Sequence, residues 1–177
     1  MSDKISFNLT TLNNGSIPEI DKAKLISFNK ELSELRRVIL GTSDYMNTIN
    51  ERVKFLKAGL QKGPTSSLTL LADIKTMEQQ MHTLTIKMHG DGTIAKHEFE
   101  TLQGIINTIE TLAGGTWSQS HGMTETYEEK LKLIKPEFKT VYDAVIVINT
   151  QLQNLETKAE ALKLPSTPNR LPKWNGE

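Results

Sequence analysis

Apolar residues recur along most of this chain at alternating steps of three and four, and the pattern is interrupted at glycine- or proline-containing sites. A spacing that averages 3.5 residues keeps one apolar stripe on one side of a helix and is typical of coiled-coil-like packing. The pattern therefore predicts an all-α chain of four helices, of which helices one and four are the long pair.

The first predicted helix follows Pro18 and ends at Gly63-Pro64, where glycine can cap a helix and proline cannot continue it. Its stripe comprises Leu25, Phe28, Leu32, Leu35, Ile39, Thr42, Met46, Ile49, Val53, Leu56 and Leu60. The second helix is predicted to start at a cap formed by Thr65 or Ser66 and to end before Gly90. The methionines of its stripe are interpreted as core residues rather than as an adaptable binding groove, and they are Met77, Met81 and Met88.

The third predicted helix runs from Ala95 to about Ala113 and ends at Gly114-Gly115. It contains Gly104, which costs about 1 kcal/mol relative to alanine in a helix interior. Thr124 is predicted to cap the fourth helix. The stripe of that helix comprises Tyr127, Leu131, Ile134, Phe138, Val141, Val145, Ile148, Leu152, Leu155, Ala159 and Leu162.

Short loops between these segments make neighbouring helices antiparallel, so residues 19–164 are expected to form an up-down-up-down four-helix bundle. Residues 1–18 are interpreted as an extended lead-in, in which residues 5–9 alternate and could pair as an edge strand. Residues 165–177 form a Pro-rich tail that packs on the bundle or frays from it. The excess length of helices one and four is a candidate contact surface, and the same heptads also permit a coiled-coil dimer.

Composition narrows the classes of function. The length of 177 residues fits one domain. Twenty-one basic residues balance twenty-one acidic ones, which argues against a nucleic-acid-binding protein. Apolar runs shorter than about 18 residues argue against membrane insertion. Since the chain has no cysteine, it has no disulfide, no thiolate metal ligand and no cysteine nucleophile.

Metal and catalytic motifs are not found in the sequence. The four histidines are His82, His89, His97 and His121, and no two of them have the i, i+4 spacing that places two imidazoles on one helix face. Glu98, Glu100 and Glu110 would form a glycosidase pair only if two of them faced each other across a cleft. We therefore expect no metal, no cofactor and no catalytic residue.

Two loop features have structural interpretations. Gly90, Asp91 and Gly92 are interpreted as a glycine cap, with Asp91 or Thr93 capping the helix that follows. Trp117 is expected to close the end of the bundle, with its indole N–H donating to a loop carbonyl.

A series of short motifs carries a family resemblance. They are Leu32-Ser33-Glu34-Leu35-Arg36-Arg37, Gly90 to Lys96, Trp117, Thr124, Phe138, and the terminal run Thr167-Pro168-Asn169-Arg170-Leu171-Pro172-Lys173-Trp174. In this order they resemble the C-terminal helical region of sortilin-like, BNR-repeat β-propeller proteins of Bacteroidetes-type bacteria, which are often labelled glycosyl hydrolases. That family usually has glycine at the position of Asn169, and asparagine is the next best residue for a left-handed turn.

The resemblance implies a non-catalytic interaction or structural module at the C-terminus of a longer, secreted or extracytoplasmic precursor. Its expected partners are the β-propeller and immunoglobulin-like domains of that precursor, or another protein. Arg170, Leu171, Pro172 and Trp174 would form a docking strap. In it Leu171 and Trp174 lie on apolar surface, while Arg170 pairs with a helix acid or with a carbonyl end.

Two alternatives stay open. The first is a free-standing coiled-coil scaffold or dimerisation domain that pairs through helices one and four. The second is a carbohydrate-binding or hydrolase-associated domain, which would require a polar cleft containing a perturbed pair of acids.

Overall fold

The computed structural model describes residues 6–8, 22–63, 69–95, 103–118, 124–172, 174 and 176. Of these, 84% are helical and none is in a strand, so the predicted all-α class is confirmed. The helices are α1 (Lys22–Lys62), α2 (Thr69–His89), α3 (Gly92–Ala95), α4 (Ile105–Ser118) and α5 (Glu125–Ala161). Residues 6–8 have no regular structure, and the remainder of the lead-in and the caps predicted at Thr65 or Ser66 lie outside the described residues.

The predicted stripes form one apolar core. α1 contributes Phe28, Leu32, Ile39, Met46, Ile49, Val53, Leu56 and Leu60, and α5 contributes Leu131, Ile134, Phe138, Val141, Val145, Ile148, Leu152, Leu155 and Ala159. The three stripe methionines of α2 are also buried, which confirms their interpretation as core residues. At 41 residues, α1 is about 60 Å long at 1.5 Å per residue.

The two long helices run parallel to each other. Lys24 pairs with Glu128, Glu31 with Lys135 and Arg52 with Glu156. Each of these pairs joins residues 104 positions apart, so the partner on α5 advances in step with the residue on α1. The first and last helices of an up-down-up-down bundle would be antiparallel, so this part of the prediction is wrong.

α2 and α4 both run antiparallel to α1. Ser43 of α1 contacts His89 of α2, and Lys57 of α1 contacts Glu78 of α2. The residue number on α2 therefore falls as the residue number on α1 rises. Arg36 binds Glu110 of α4, and the later α4 residues Ala113 and Thr116 line a cavity with the earlier α1 residues Asn29 and Leu32, so α4 runs towards the start of α1. α2 therefore lies along the second half of α1 and α4 along the first half. Because the chain does not reverse direction between α2 and α4, the fold is a long three-helix bundle whose middle helix is divided, and the predicted overhang of the long helices is also wrong.

Close packing, rather than helix termination, explains two of the glycines. Gly104 is not inside a helix but directly precedes α4, and a Cβ there would lie 2.5 Å from the backbone nitrogen of Gly90. α4 continues through Gly114 and Gly115 to Ser118, where a helix end had been predicted at the glycine pair. A Cβ on Gly115 would lie 2.2 Å from Oη of Tyr127, so this glycine allows α4 to approach α5.

Candidate functional site

A ladder of side-chain pairs joins α1 to α5 at intervals of one heptad. Its charged rungs are Lys24–Glu128, Glu31–Lys135 and Arg52–Glu156. The constant register places Val38 opposite Tyr142 and Tyr45 opposite Asn149 on the two intervening rungs, and all four of these residues line one groove. The interface between the parallel helices is therefore ionic at both ends and uncharged in the middle.

The rung at Arg52 is a buried ion pair. Arg52 donates from Nε to Oε1 of Glu156 at 2.9 Å and from Nη2 to Oε2 at 2.6 Å. The Glu156 side chain is 0% exposed and the Arg52 side chain is 10% exposed. The hydrogen-bonded carboxylate raises the pKa of Arg52 above its usual range against the opposing effect of burial, and Tyr45 makes a smaller contribution in the same direction. Arg52 also donates from Nη1 to Oδ1 of Asn149 at 3.4 Å.

The C-terminal tail is fastened to this ion pair. Thr167 is buried and donates from Oγ1 to Oε1 of Glu156 at 2.6 Å. Nε of Arg170 lies 3.5 Å from Oε2 of Glu156, and its Nη2 donates to Oε1 of Glu160 at 3.1 Å. We call Arg52, Glu156, Thr167 and Arg170 the ionic anchor. It joins α1, α5 and the tail through one carboxylate.

The tail beyond the ionic anchor differs from the predicted strap. Arg170 contacts helix acids, which is one of the two kinds of partner expected for it. Leu171 is 92% exposed and Trp174 is 83% exposed, so most of each side chain faces solvent, contrary to the burial expected of the strap. Pro172 is exposed as well. Asn169, which precedes Arg170, has a φ of 63° and so lies in the left-handed region, as expected for a residue that replaces glycine in a turn.

An open groove lies on the uncharged part of the ladder, with a volume of about 550 Å³. Its walls include Val38, Gly41 and Tyr45 from α1 and Tyr142, Ile146 and Asn149 from α5. Tyr45, Tyr142 and Ile146 are 40%, 42% and 51% exposed. The charged side chain at its rim, Arg37, donates to Glu34 at 2.9 and 2.5 Å. We call this region the open groove; its apolar and aromatic side chains could receive an apolar or aromatic segment, and Thr42, Asn149 and Thr150 add polar groups to its lining.

Gly41 increases the depth of the open groove. It lies inside α1, and a Cβ there would meet nothing within 4 Å. A glycine in a helix interior costs about 1 kcal/mol relative to alanine, and no close contact within the described chain requires it. Its effect is to leave the backbone of α1 accessible at the floor of the open groove.

The predicted structural loop caps the short helix α3. Gly90 has a φ of 82° and donates its N–H to the carbonyl of Ile86 at 2.7 Å. Oδ1 of Asp91 accepts from the N–H of Thr93 at 2.9 Å and from that of Ile94 at 3.4 Å. These backbone donors, Thr93 first, lower the pKa of Asp91 below its usual range. Gly92 is the first residue of α3, and the side chain of Trp117 lies outside the described residues.

The described residues contain no cluster of possible metal ligands, and the candidate histidines and glutamates are only partly among them. No group of three or more His, Asp or Glu side chains among them could hold a metal ion. His89 binds Ser43, and His97 and His121 lie outside the described part of the chain. Of the candidate glutamates, Glu110 is paired with Arg36, whereas Glu98 and Glu100 also lie outside it. A hydrogen bond from Arg37 lowers the pKa of Glu34, the direction opposite to that of a general acid near neutral pH.

Sequence reasoning missed both the ionic anchor and the open groove. A usable signal was present, since Lys24 and Arg52 hold the g position of the α1 heptads and Glu128 and Glu156 hold the e position of the α5 heptads, with opposite charges. Such pairs specify a parallel alignment of two helices. Because an antiparallel bundle was expected, these charge pairs were not used to predict the direction of the helices.

Comparison of the chain with protein-family models, with curated protein sequences and with solved structures gives no match in any of the three. The resemblance to sortilin-like β-propeller proteins therefore stays a prediction. Within the described ranges, none of the helices has both the length and the apolarity that crossing a lipid bilayer requires.

Proposed function

We propose that the chain is a non-catalytic interaction module that docks onto protein through the open groove. The observation that carries this proposal is the lining of the groove, in which tyrosine and isoleucine side chains are 40 to 51% exposed around an accessible stretch of backbone at Gly41. Exposed aromatic and branched side chains in a concave surface are the residues that anchor protein interfaces.

The charge distribution supports docking rather than catalysis. Arg37, at the groove rim, is already paired with Glu34. The buried ion pair next to the groove is saturated by Thr167 and Arg170, so its carboxylate is used to hold the tail. A glycosidase would instead need two carboxylates facing a sugar across a cleft.

The family resemblance extends this proposal to a parent protein. In that proposal the chain is the C-terminal domain of a secreted or extracytoplasmic sortilin-like precursor, and it packs on the β-propeller or immunoglobulin-like domain of that precursor. A second candidate is a dimerisation scaffold, which is favoured by the position of the open groove between α1 and α5, the two helices predicted to form such an interface.

Site-specific photo-cross-linking tests the docking function. A photoreactive residue replaces Ile146 in the groove or, as the matched control, its neighbour Val147, which is 56% exposed and does not line the groove. In cells of the source organism, we expect a discrete adduct from position 146 that is absent at position 147. Equal labelling at both positions, or none at either, would contradict docking through the groove. Turnover of glycoside substrates by the purified chain would overturn its non-catalytic character.

A further inference from the structure

The open groove and the exposed tail residues are adjacent and chemically matched. The tail follows the α1–α5 interface back from the end of α5: Cδ of Pro165 lies 3.8 Å from the Cβ position of Gly59, and Thr167 reaches Glu156. The ionic anchor thus covers the ladder rung directly above the open groove. One heptad separates that rung from the Tyr45–Asn149 rung, a rise of about 10 Å.

Beyond the anchor the tail is apolar and exposed. Leu171 is 92% exposed and Trp174 is 83% exposed. Large apolar side chains presented to solvent in this way mark a site of interaction. The anchor itself is buried and therefore fixes the direction from which this segment leaves the bundle.

We infer that Leu171 and Trp174 of one molecule occupy the open groove of a second copy, giving a two-fold dimer in which each copy supplies one tail and one groove. This inference rests on the proposed docking function and names the partner. Leu171 and Trp174 supply the apolar and aromatic surface, and Tyr45, Tyr142 and Ile146 supply the matching walls.

The turn at Asn169 favours a second copy over the molecule's own groove. Its φ of 63° places it in the left-handed region; after it Arg170 contacts Glu160 and Leu171 lies in solvent instead of along the interface. A tail that closed on its own groove would bury Leu171. An exchange between two copies leaves both ionic anchors intact and buries both tails.

The area involved is sufficient for a reversible dimer. Burying one tryptophan removes roughly 200 Å² from solvent. With Leu171 and the facing groove walls, each insertion would remove on the order of 600 Å², so two equivalent insertions reach about 1,200 Å², the lower end of stable interfaces. A dimer that forms at micromolar concentration is the expected consequence.

Sedimentation equilibrium of the full chain tests the inference with one tail variant, one groove variant and a matched control. Trp174→Ala and Ile146→Lys should each raise the dimer dissociation constant at least about tenfold. Val147→Lys should leave it unchanged, since Val147 is exposed on the same helix but does not line the groove. Circular dichroism establishes that each variant keeps the helical fold.

Mixing the variants makes the test specific for exchange. The Ile146→Lys protein retains a native tail and the Trp174→Ala protein retains a native groove, so the mixture should form heterodimers at concentrations at which each variant alone is monomeric. A wild-type chain that stays monomeric at high micromolar concentration overturns the inference but not the docking function, which the cross-linking experiment tests with any partner. A dimer unaffected by both variants, or a monomer whose Trp174 is buried in its own groove, also overturns it.

Discussion

Replacing Glu156 by glutamine should destabilise the protein more than any comparable change at its surface. Glu156 is the acceptor on which Arg52, Thr167 and Arg170 converge. Both of its oxygens receive an N–H from Arg52, at 2.9 and 2.6 Å. Whichever oxygen becomes the amide nitrogen of Glu156→Gln will therefore point a donor at a donor, and Arg52 will remain as a buried cation without its counter-charge.

The magnitude follows from the burial of the pair. Removing one partner of a buried ion pair costs about 3–5 kcal/mol, because the other charge is left uncompensated. The 10% exposure of Arg52 and the retained carbonyl acceptor place the expected loss near the lower end of that range, at about 3 kcal/mol. For a chain of this size, such a loss lowers the Tm by roughly 6–12 °C.

Thermal and urea denaturation of Glu156→Gln measure the effect, with Glu78→Gln as the control. Glu78 also pairs with a cation on α1, Lys57 at 2.8 Å, but the two side chains are 35% and 41% exposed. An exposed pair contributes about 0.2–1 kcal/mol, so this variant should be nearly as stable as wild type.

A double replacement distinguishes two effects on stability: that of an unpaired buried charge and that of lost hydrogen bonds. In Arg52→Met/Glu156→Leu no buried charge remains, and the protein should be more stable than Glu156→Gln although it has lost more hydrogen bonds. The reasoning is refuted if Glu156→Gln unfolds together with the Glu78→Gln control, or if the double variant is the least stable of the three.

Three further predictions concern two glycines and one helix cap. Gly41→Ala should stabilise the protein by about 0.5–1 kcal/mol in urea denaturation, because its Cβ meets nothing within 4 Å and alanine is the better helix former. Gly104→Ala should destabilise it by about 1–3 kcal/mol in the same assay, since its Cβ would lie 2.5 Å from the backbone of Gly90, which cannot yield as a flexible side chain can. The cap formed by Asp91 should be fully present above the ordinary carboxyl pKa of about 3.9 and be lost as the pH falls through its lowered pKa. Loss of hydrogen-exchange protection at the Thr93 amide reports that transition, and in Asp91→Ala the amide should lack protection at any pH.

The sequence predicted the helices better than their arrangement. The end of α1 and the start of α5 lie close to their predicted positions, because Gly63-Pro64 follows one stripe and Thr124 directly precedes the other. Thr124 holds the N-cap position of α5 but its side chain makes no capping hydrogen bond. The third helix was misplaced because Gly104 was placed in its interior and Gly115 was interpreted as part of its end, whereas α4 begins after the first and continues through the second. Both serve close tertiary approach, to Gly90 and to Tyr127, and such contacts are invisible in a single sequence.

The relative direction of the helices was predicted wrongly for a different physical reason. A heptad stripe determines which face of a helix is buried, but parallel and antiparallel neighbours bury the same stripe equally well. Direction is set by residues beside the stripe. Here Lys24, Glu31 and Arg52 on α1 each pair with an opposite charge 104 residues later in the chain. These three residues are separated from one another by whole heptads.

The same ladder explains why the ionic anchor and the open groove are neighbours. Charged rungs hold the parallel helices together where both side chains are long, and the end rung at Arg52 is buried because the tail covers it. Between the two uncharged rungs Gly41 contributes no side chain, and a groove lies there between α1 and α5. The same heptad position of α1 therefore has two roles along this interface. At Arg52 it forms the buried ion pair that joins α1 to α5, and at Val38 and Tyr45 it leaves apolar surface on which a partner can bind.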